Sequence, residues 1–442
     1  MAGVLALHWE RGGDLARAVA CHARAADVAR SRYSFDQAAA QYRHALLQRL
    51  PASPERDAQE MNLQSELVGC VFSSDGPGST ELESIAVRID ALSRTGATTP
   101  ALLNSLFGLI ALCITRGDLD RAETLCERAL ARAPEIPDAG GFFTDAARGL
   151  LGFTHLRRGR FADAIPHLRD GAALPVVGAV GMAEPSIVYA SDLGLSLFLA
   201  GGLAALRASD ADAEASGHPP TFVFTGANMM RIGQLIGDRP LVERVAATMG
   251  DVAERLAQPR FSAYRQICLG WLAMDVGEPG GIDMFRKGCA TLAADSHLVY
   301  APFSYAQAAS ALARLGRIDE ARDVLAEALR ALASNGARWC EPELHRVQGQ
   351  IAAATAATPR PRTKARVQAT GDAEASFRHA IALARAQGGR WWELCALFDL
   401  ARLRPHDDET TSALRTLHDA IAAGVDAPAL AAVRAFLAAA PS

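Results

Sequence analysis

The chain has 442 residues, half of them hydrophobic and only 6% aromatic, with 45 Lys and Arg against 49 Asp and Glu for a formal charge of -4. That balance supplies no basic field for phosphates, so direct nucleic-acid binding is not expected. Eight cysteines without a CxxC pair read as reduced core thiols of a cytoplasmic protein, and the absence of any uncharged apolar run of ~18 residues excludes a helical membrane span.

From the N-terminus, MAGVLALHWERGGD brings Glu and Arg in too early for a signal peptide, and its helix over 4–11 reads as the continuation of something upstream. Helices follow at 15–30 and 36–50, the latter closed by Pro51, and at 54–72. The breaker-rich SSDGPGST lacks the Lys that a phosphate-binding loop uses, which leaves a surface loop. Helices at 81–95, 100–116 and 122–133 lead into LLGFTHLRRGRFADAIPHLRDGAAL at 150–174, where the organising unit is clearest. Two helices flank Gly159, and Ala164, Leu168 and Gly171 at i, i+4 and i+7 share one face of the second. Small residues stand where helices touch and large ones where they fill space.

This is tetratricopeptide spacing, and it recurs at Ala122, Cys126 and Ala129, at Ala321, Leu325 and Ala328, and at Ala373, Phe377 and Ala380. Looser copies begin at Ala18, Ala38 and Gly281. Gly13, Gly117, Gly159, Gly277, Gly316 and Gly371 stand before the second helices as left-handed terminators, and Asp14, Asp118 and Asp372 as N-caps. A single pair cannot bury its apolar face, so the pairs must stack. The expected fold is an all-α solenoid, a right-handed superhelix of tetratricopeptide-like hairpins.

Beyond 175, PVVGAVGMAEPS is a crossing segment or a junction, and helices are expected at 187–199, from Gly202 to Gly217, and at 222–235, 240–256, 261–276, 281–294, 302–315 and 318–335. After 343–354 comes an insertion at 355–370 carrying Arg360, Arg362, Lys364 and Arg366 without an acid, expected as a mobile surface loop before Gly371 opens the next helix. Helices at 390–404, 409–423 and 428–440 complete the chain. The divisions are hairpins at 1–50, repeats at 51–175, a second stack at 176–404, and a cap at 405–442.

The first helix of each pair lines the hollow side of such a superhelix. The register turns Asn104, Phe107, Phe153, Arg157, Phe303 and Arg314 inward, with Asn228, Arg231, Tyr264 and Arg265 as further positions of the same sort. Arginines among aromatics suit a carboxylate or an extended peptide, by forked pairing and stacking. The competing reading of each aromatic is packing against the next repeat. Trp339, Cys340, Glu341, Glu343 and His345 group possible ligands, but zinc needs three or four and only Glu341 and His345 share a helical turn, so no metal site and no cofactor are assigned. Trp391 and Trp392 read as a core plug in which only one ring can face inward. No catalytic set can be singled out.

In order, GGDLARAVACHARAADVARSRYSFDQAAAQYRHAL, GRFADAIPHLRDG, GMAEPSIVYA, ASGHP, CLGWLAMDVG, GRIDEARDVLAEAL, CEPELHRVQGQ and AEASFRHAIALARAQGGRWWELCALFDLARL resemble the tetratricopeptide region of large bacterial signalling ATPases with adenylate-cyclase-like or LuxR-type output domains. The similarity covers most of the chain and is most specific in its last hundred residues. The resemblance implies a sensing or protein-interaction arm, with nucleotide chemistry in a separate N-terminal domain. The chain departs from the pattern by the 355–370 insertion and by a one-residue shortening between Gly277 and Gly281. The expected function is a module holding a protein, peptide or small ligand in its concave face. The alternatives are an enzyme of a specialised pathway that uses the groove, and a fragment of a transcription regulator.

Overall fold

The computed structural model describes residues 2–76, 78–95, 99–137, 139–175, 184–202, 219–256, 259–294, 296, 298–357, 363–422 and 427–439. Among them stand twenty-one α-helices, one 3-10 turn and no strand. In order these are α1 (Ala2–Arg11), α2 (Leu15–Arg30), α3 (Phe35–Leu47), α4 (Pro54–Ser74), α5 (Thr80–Thr95), α6 (Pro100–Arg116) and α7 (Leu119–Arg132). Then come α8 (Gly140–Arg157), α9 (Phe161–Ala172), α10 (Pro185–Leu199), α11 (Pro219–Ile236), α12 (Arg239–Leu256), α13 (Pro259–Asp275) and α14 (Gly281–Ala294). The last seven are α15 (Ala301–Arg314), α16 (Ile318–Ser334), α17 (Glu341–Ala357), α18 (Thr363–Gln387), α19 (Arg390–Leu403), α20 (Asp408–Ile421) and α21 (Pro428–Ala439).

Local chemistry sets most of these boundaries. Ser53 and Thr99 accept the backbone N–H of Arg56 and Leu102, with Pro54 and Pro100 at the first helical positions. Asp14 and Asp118 cap α2 and α7 in the same way. Gly13, Gly117, Gly159, Gly277 and Gly316 turn between paired helices with φ between 74° and 82°. In the pair α8–α9, a Cβ on Gly152 would lie 2.8 Å from the backbone nitrogen of Leu168, while Ala164 and Leu168 are fully buried. The pair α13–α14 repeats the device: a Cβ on Gly270 would lie 2.5 Å from the nitrogen of Phe285. Backbones this close require small residues, as the repeat spacing predicts. Each first helix from α4 to α19 packs on the next first helix, so α4, α6, α8, α10, α11, α13, α15, α17 and α19 form a continuous inner layer of an all-α solenoid.

The solenoid closes on itself. Leu298 and Val299 donate their N–H groups to the carbonyl of Thr115 at 3.0 and 3.3 Å, Gly336 donates to Gly117 at 3.2 Å, and Trp339 to Arg157 at 3.2 Å. The guanidinium of Arg260 hydrogen-bonds the carbonyl of Ser73. Four successive left-handed turns are met in order by elements later in the chain: Gly117 by Asn335, Gly159 by Gln387, Gly201 by Arg390 and Ile421, and Gly237 by Pro428.

Three expectations change. Lys364 and Arg366 are helical, not part of a loop, because α18 begins at Thr363; Arg360 and Arg362 lie outside the described residues. Gly371 and Asp372 are interior to that helix, not its terminator and cap, and Gln368 Nε2 reaches across to Asp372 Oδ1 at 2.9 Å. The physical reason is that 363–370 contains no proline and several strong helix formers, while one interior glycine costs only ~1 kcal/mol. Finally, Trp391 and Trp392 are both buried, because α19 is covered from two sides. The helix expected between Gly202 and Gly217, and residues 176–183 of the segment PVVGAVGMAEPS, lie outside the described residues; that segment's last two residues, Pro185 and Ser186, open α10.

Candidate functional site

The inner layer lines two cavities. One, of about 1040 Å³ including its mouth, lies between α4, α6, α8, α10 and α11. Its walls are apolar, with Val68, Phe107, Phe142, Leu150, Val188 and Tyr189 among them, and Asn104 and Glu66 are its polar points. Burial pushes the Glu66 carboxyl above its ordinary range, although Arg30 at 3.2 Å opposes this. The second, of about 700 Å³ including the solvent at its mouth, lies between α3, α4, α6, α8, α11 and α13 and is walled by Phe35, Phe72, Ile114 and Val223. Its polar points are Ser73, Thr115, Arg260, Tyr264 and Tyr300. Phe153 and Phe224 belong to both walls, so the two spaces are neighbours that these rings separate.

Behind Tyr300 lies a buried polar cluster. Arg157 Nη2 donates to Asp192 Oδ1 at 2.8 Å and to the hydroxyl of Tyr300. Asn228 Nδ2 donates to Asp192 at 3.0 Å and to Ser191 Oγ at 3.2 Å, and its Oδ1 accepts from Arg231 Nη1 at 3.3 Å. Both guanidiniums stack on Tyr300, with Arg231 Cζ 3.4 Å and Arg157 Cζ 4.5 Å from the ring centre, and Arg157 also lies 4.6 Å from that of Phe153. Burial pushes the Arg231 guanidinium below its usual value, with the tyrosines 300 and 264 opposing the shift. Burial raises Tyr300, and the two arginines pull it back. Asp192 is the only carboxylate among the described residues that hydrogen-bonds either guanidinium, and Arg157 Nε, Arg157 Nη1 and Arg231 Nε are buried without a hydrogen-bond partner.

The predicted inner residues therefore separate into three groups. Asn104, Phe107 and Phe153 are half-buried cavity wall. Arg157, Asn228, Arg231 and Tyr264 are buried together, Arg157 at 0% exposure; Tyr264 is part of the smaller cavity's wall and the other three back it, so they do not face a solvent-filled groove. Phe303 packs on Trp339 at 5.2 Å between centroids, while Arg265 and Arg314 are exposed and meet neither cavity. Asp192, Tyr300, Phe224 and Arg260 were not anticipated. A signal was present: Asp192, Asn228, Tyr264 and Tyr300 follow one another at a constant step of 36 residues, about one repeat, and Asp192 is the lone acid of the run SIVYASDLGLSLFLA.

Glu343 serves a different network: Arg346 grips it with Nε and Nη2, each at 2.7 Å, and reaches Asp399 with Nη1 at 2.6 Å. No group of three His, Cys, Asp or Glu side chains able to hold a metal occurs among the described residues, and His345 sits against His379. Burial raises the thiols of Cys70, Cys126, Cys268, Cys289 and Cys395 to about 12 and that of Cys113 to about 11. At neutral pH these are packing groups, not nucleophiles. No helix of the described residues is long and apolar enough to cross a membrane.

No protein-family profile and no curated protein matches the sequence. Among solved structures, the chain is similar to that of a Rap protein complexed with competence and sporulation factor, at 9% identity and a TM-score of 0.41, over 90% of this chain and 99% of that one. The fold assignment rests on the helix packing described above.

Proposed function

We propose that the chain is a binding module that holds a ligand with an apolar body, an extended segment of a partner protein, a peptide or a small molecule, within its inner layer. The observation that carries this reading is the pair of neighbouring apolar cavities that share Phe153 and Phe224 in their walls. A largely apolar space with a few fixed polar groups is the usual form of a ligand site, and burial of apolar surface there contributes ~25 cal/mol per Å². The likeness of the sequence to the tetratricopeptide arms of bacterial signalling ATPases supports a regulatory role in the cytoplasm, with the ligand reporting to an output domain.

Ala111 lines the larger cavity from α6 and is half-buried. Nile red, an uncharged apolar dye, should bind the native chain saturably with a blue-shifted emission. Ala111→Phe, which fills the space, should weaken that binding by about tenfold, the effect of roughly 1.4 kcal/mol. Equal affinity in the two proteins would remove the cavity assignment.

A further inference from the structure

Two guanidiniums and one carboxylate buried together leave a positive charge that the cluster itself does not balance, and such a charge is costly away from water. Three N–H-bearing nitrogens of the pair have no acceptor. The acceptor that Arg157 does have on the cavity side is the neutral hydroxyl of Tyr300, whose ring is the wall of the smaller cavity. An anionic oxygen would serve that donor better, because charge-assisted hydrogen bonds are roughly twice as strong as neutral ones.

We infer that Arg157 and Arg231 form an anion site at the end of the apolar cavity, and that the ligand is an apolar chain ending in a carboxylate. This rests on the cavity reading proposed above and names the chemistry of its ligand. The chain lies along Phe153 and Phe224, the Tyr300 ring turns aside, and the carboxylate takes the place of its hydroxyl on Arg157 while reaching Arg231. The planar guanidiniums match both oxygens of a carboxylate. Asp192 and Asn228 hold the donors in position through the bonds already described. A free peptide C-terminus and an acyl acid present the same group, so both sources satisfy the site.

The test is calorimetric titration of the full chain with two matched pairs: acetyl-Leu-Phe-Leu as its free acid and its amide, and octanoate with 1-octanol. At least one acid should bind about tenfold tighter than its uncharged counterpart, and the pair that does so identifies the source. Arg231→Gln should bring that ratio to about one while leaving the uncharged compound's affinity unchanged. Tyr300→Phe, which removes the competing hydroxyl and keeps the ring, should strengthen acid binding severalfold even if Arg231→Gln does not fold. Equal binding of acid and uncharged compound, or a ratio that survives Arg231→Gln, or acid binding that is unmoved in Tyr300→Phe, overturns the anion site and leaves the cavity reading standing. If none of the four compounds binds, the cavity reading falls as well.

Discussion

Ala164 sits at the crossing of α8 and α9 and is fully buried, with its carbonyl 3.0 Å from where a Cβ on Gly152 would lie, so a longer side chain there must displace packed neighbours. Arg160, four residues earlier, is half in solvent and pairs with Glu123 at 2.9 Å. Overpacking costs ~1–3 kcal/mol and an unpaired buried charge adds more, whereas an exposed ion pair is worth at most ~1 kcal/mol. Ala164→Arg should therefore lower the thermal midpoint by many degrees and Arg160→Ala by only a few; equal shifts in calorimetry would contradict the packing register. This part of the molecule is legible in the sequence because a steric requirement leaves a residue-type signature at fixed spacing. The partners of Arg157 are less so. Its type and inward register could be read, but the partners Asp192 and Tyr300 come from other repeats, 35 and 143 residues away.

At the scale of the element, α18 shows how one glycine can be read in two ways. A glycine followed by aspartate ends one helix and caps the next at Gly13-Asp14 and Gly117-Asp118. The same dipeptide at Gly371-Asp372 lies within a 25-residue helix. Gly371 is exposed, lacks a positive φ, and has open space where a Cβ would go. Gly371→Ala should consequently raise stability by ~0.5–1 kcal/mol in a denaturant titration, through the better helix propensity of alanine and the smaller entropy of its unfolded chain. A loss of stability would mean that the glycine is a turn residue after all. What separates the two cases is whether the flanking residues can remain helical, a sum over the whole segment that the dipeptide does not contain.

At the scale of the whole molecule, the meeting of four left-handed turns with elements later in the chain makes this solenoid unlike one whose repeats touch only their neighbours. Trp339 is fully buried at that contact, between Tyr300, Phe303 and Trp392, and its backbone N–H donates to the carbonyl of Arg157. Trp339→Ala should cost ~3–5 kcal/mol and reduce hydrogen-exchange protection in α8 and α10 as well as in α15–α19. Loss confined to α15–α19 would mean that the two halves are not coupled through this contact. The amino-acid sequence by itself determined most of the described helices, their pairing and the small residues at their crossings, since all three depend on neighbours within about one repeat. Only the tertiary structure decided that both Trp391 and Trp392 are buried, that Arg157 and Arg231 lie behind a cavity wall, and that the hollow is divided. Those outcomes depend on the angle accumulated from hairpin to hairpin, a quantity that no local spacing records and that becomes definite when the distant ends of the chain meet.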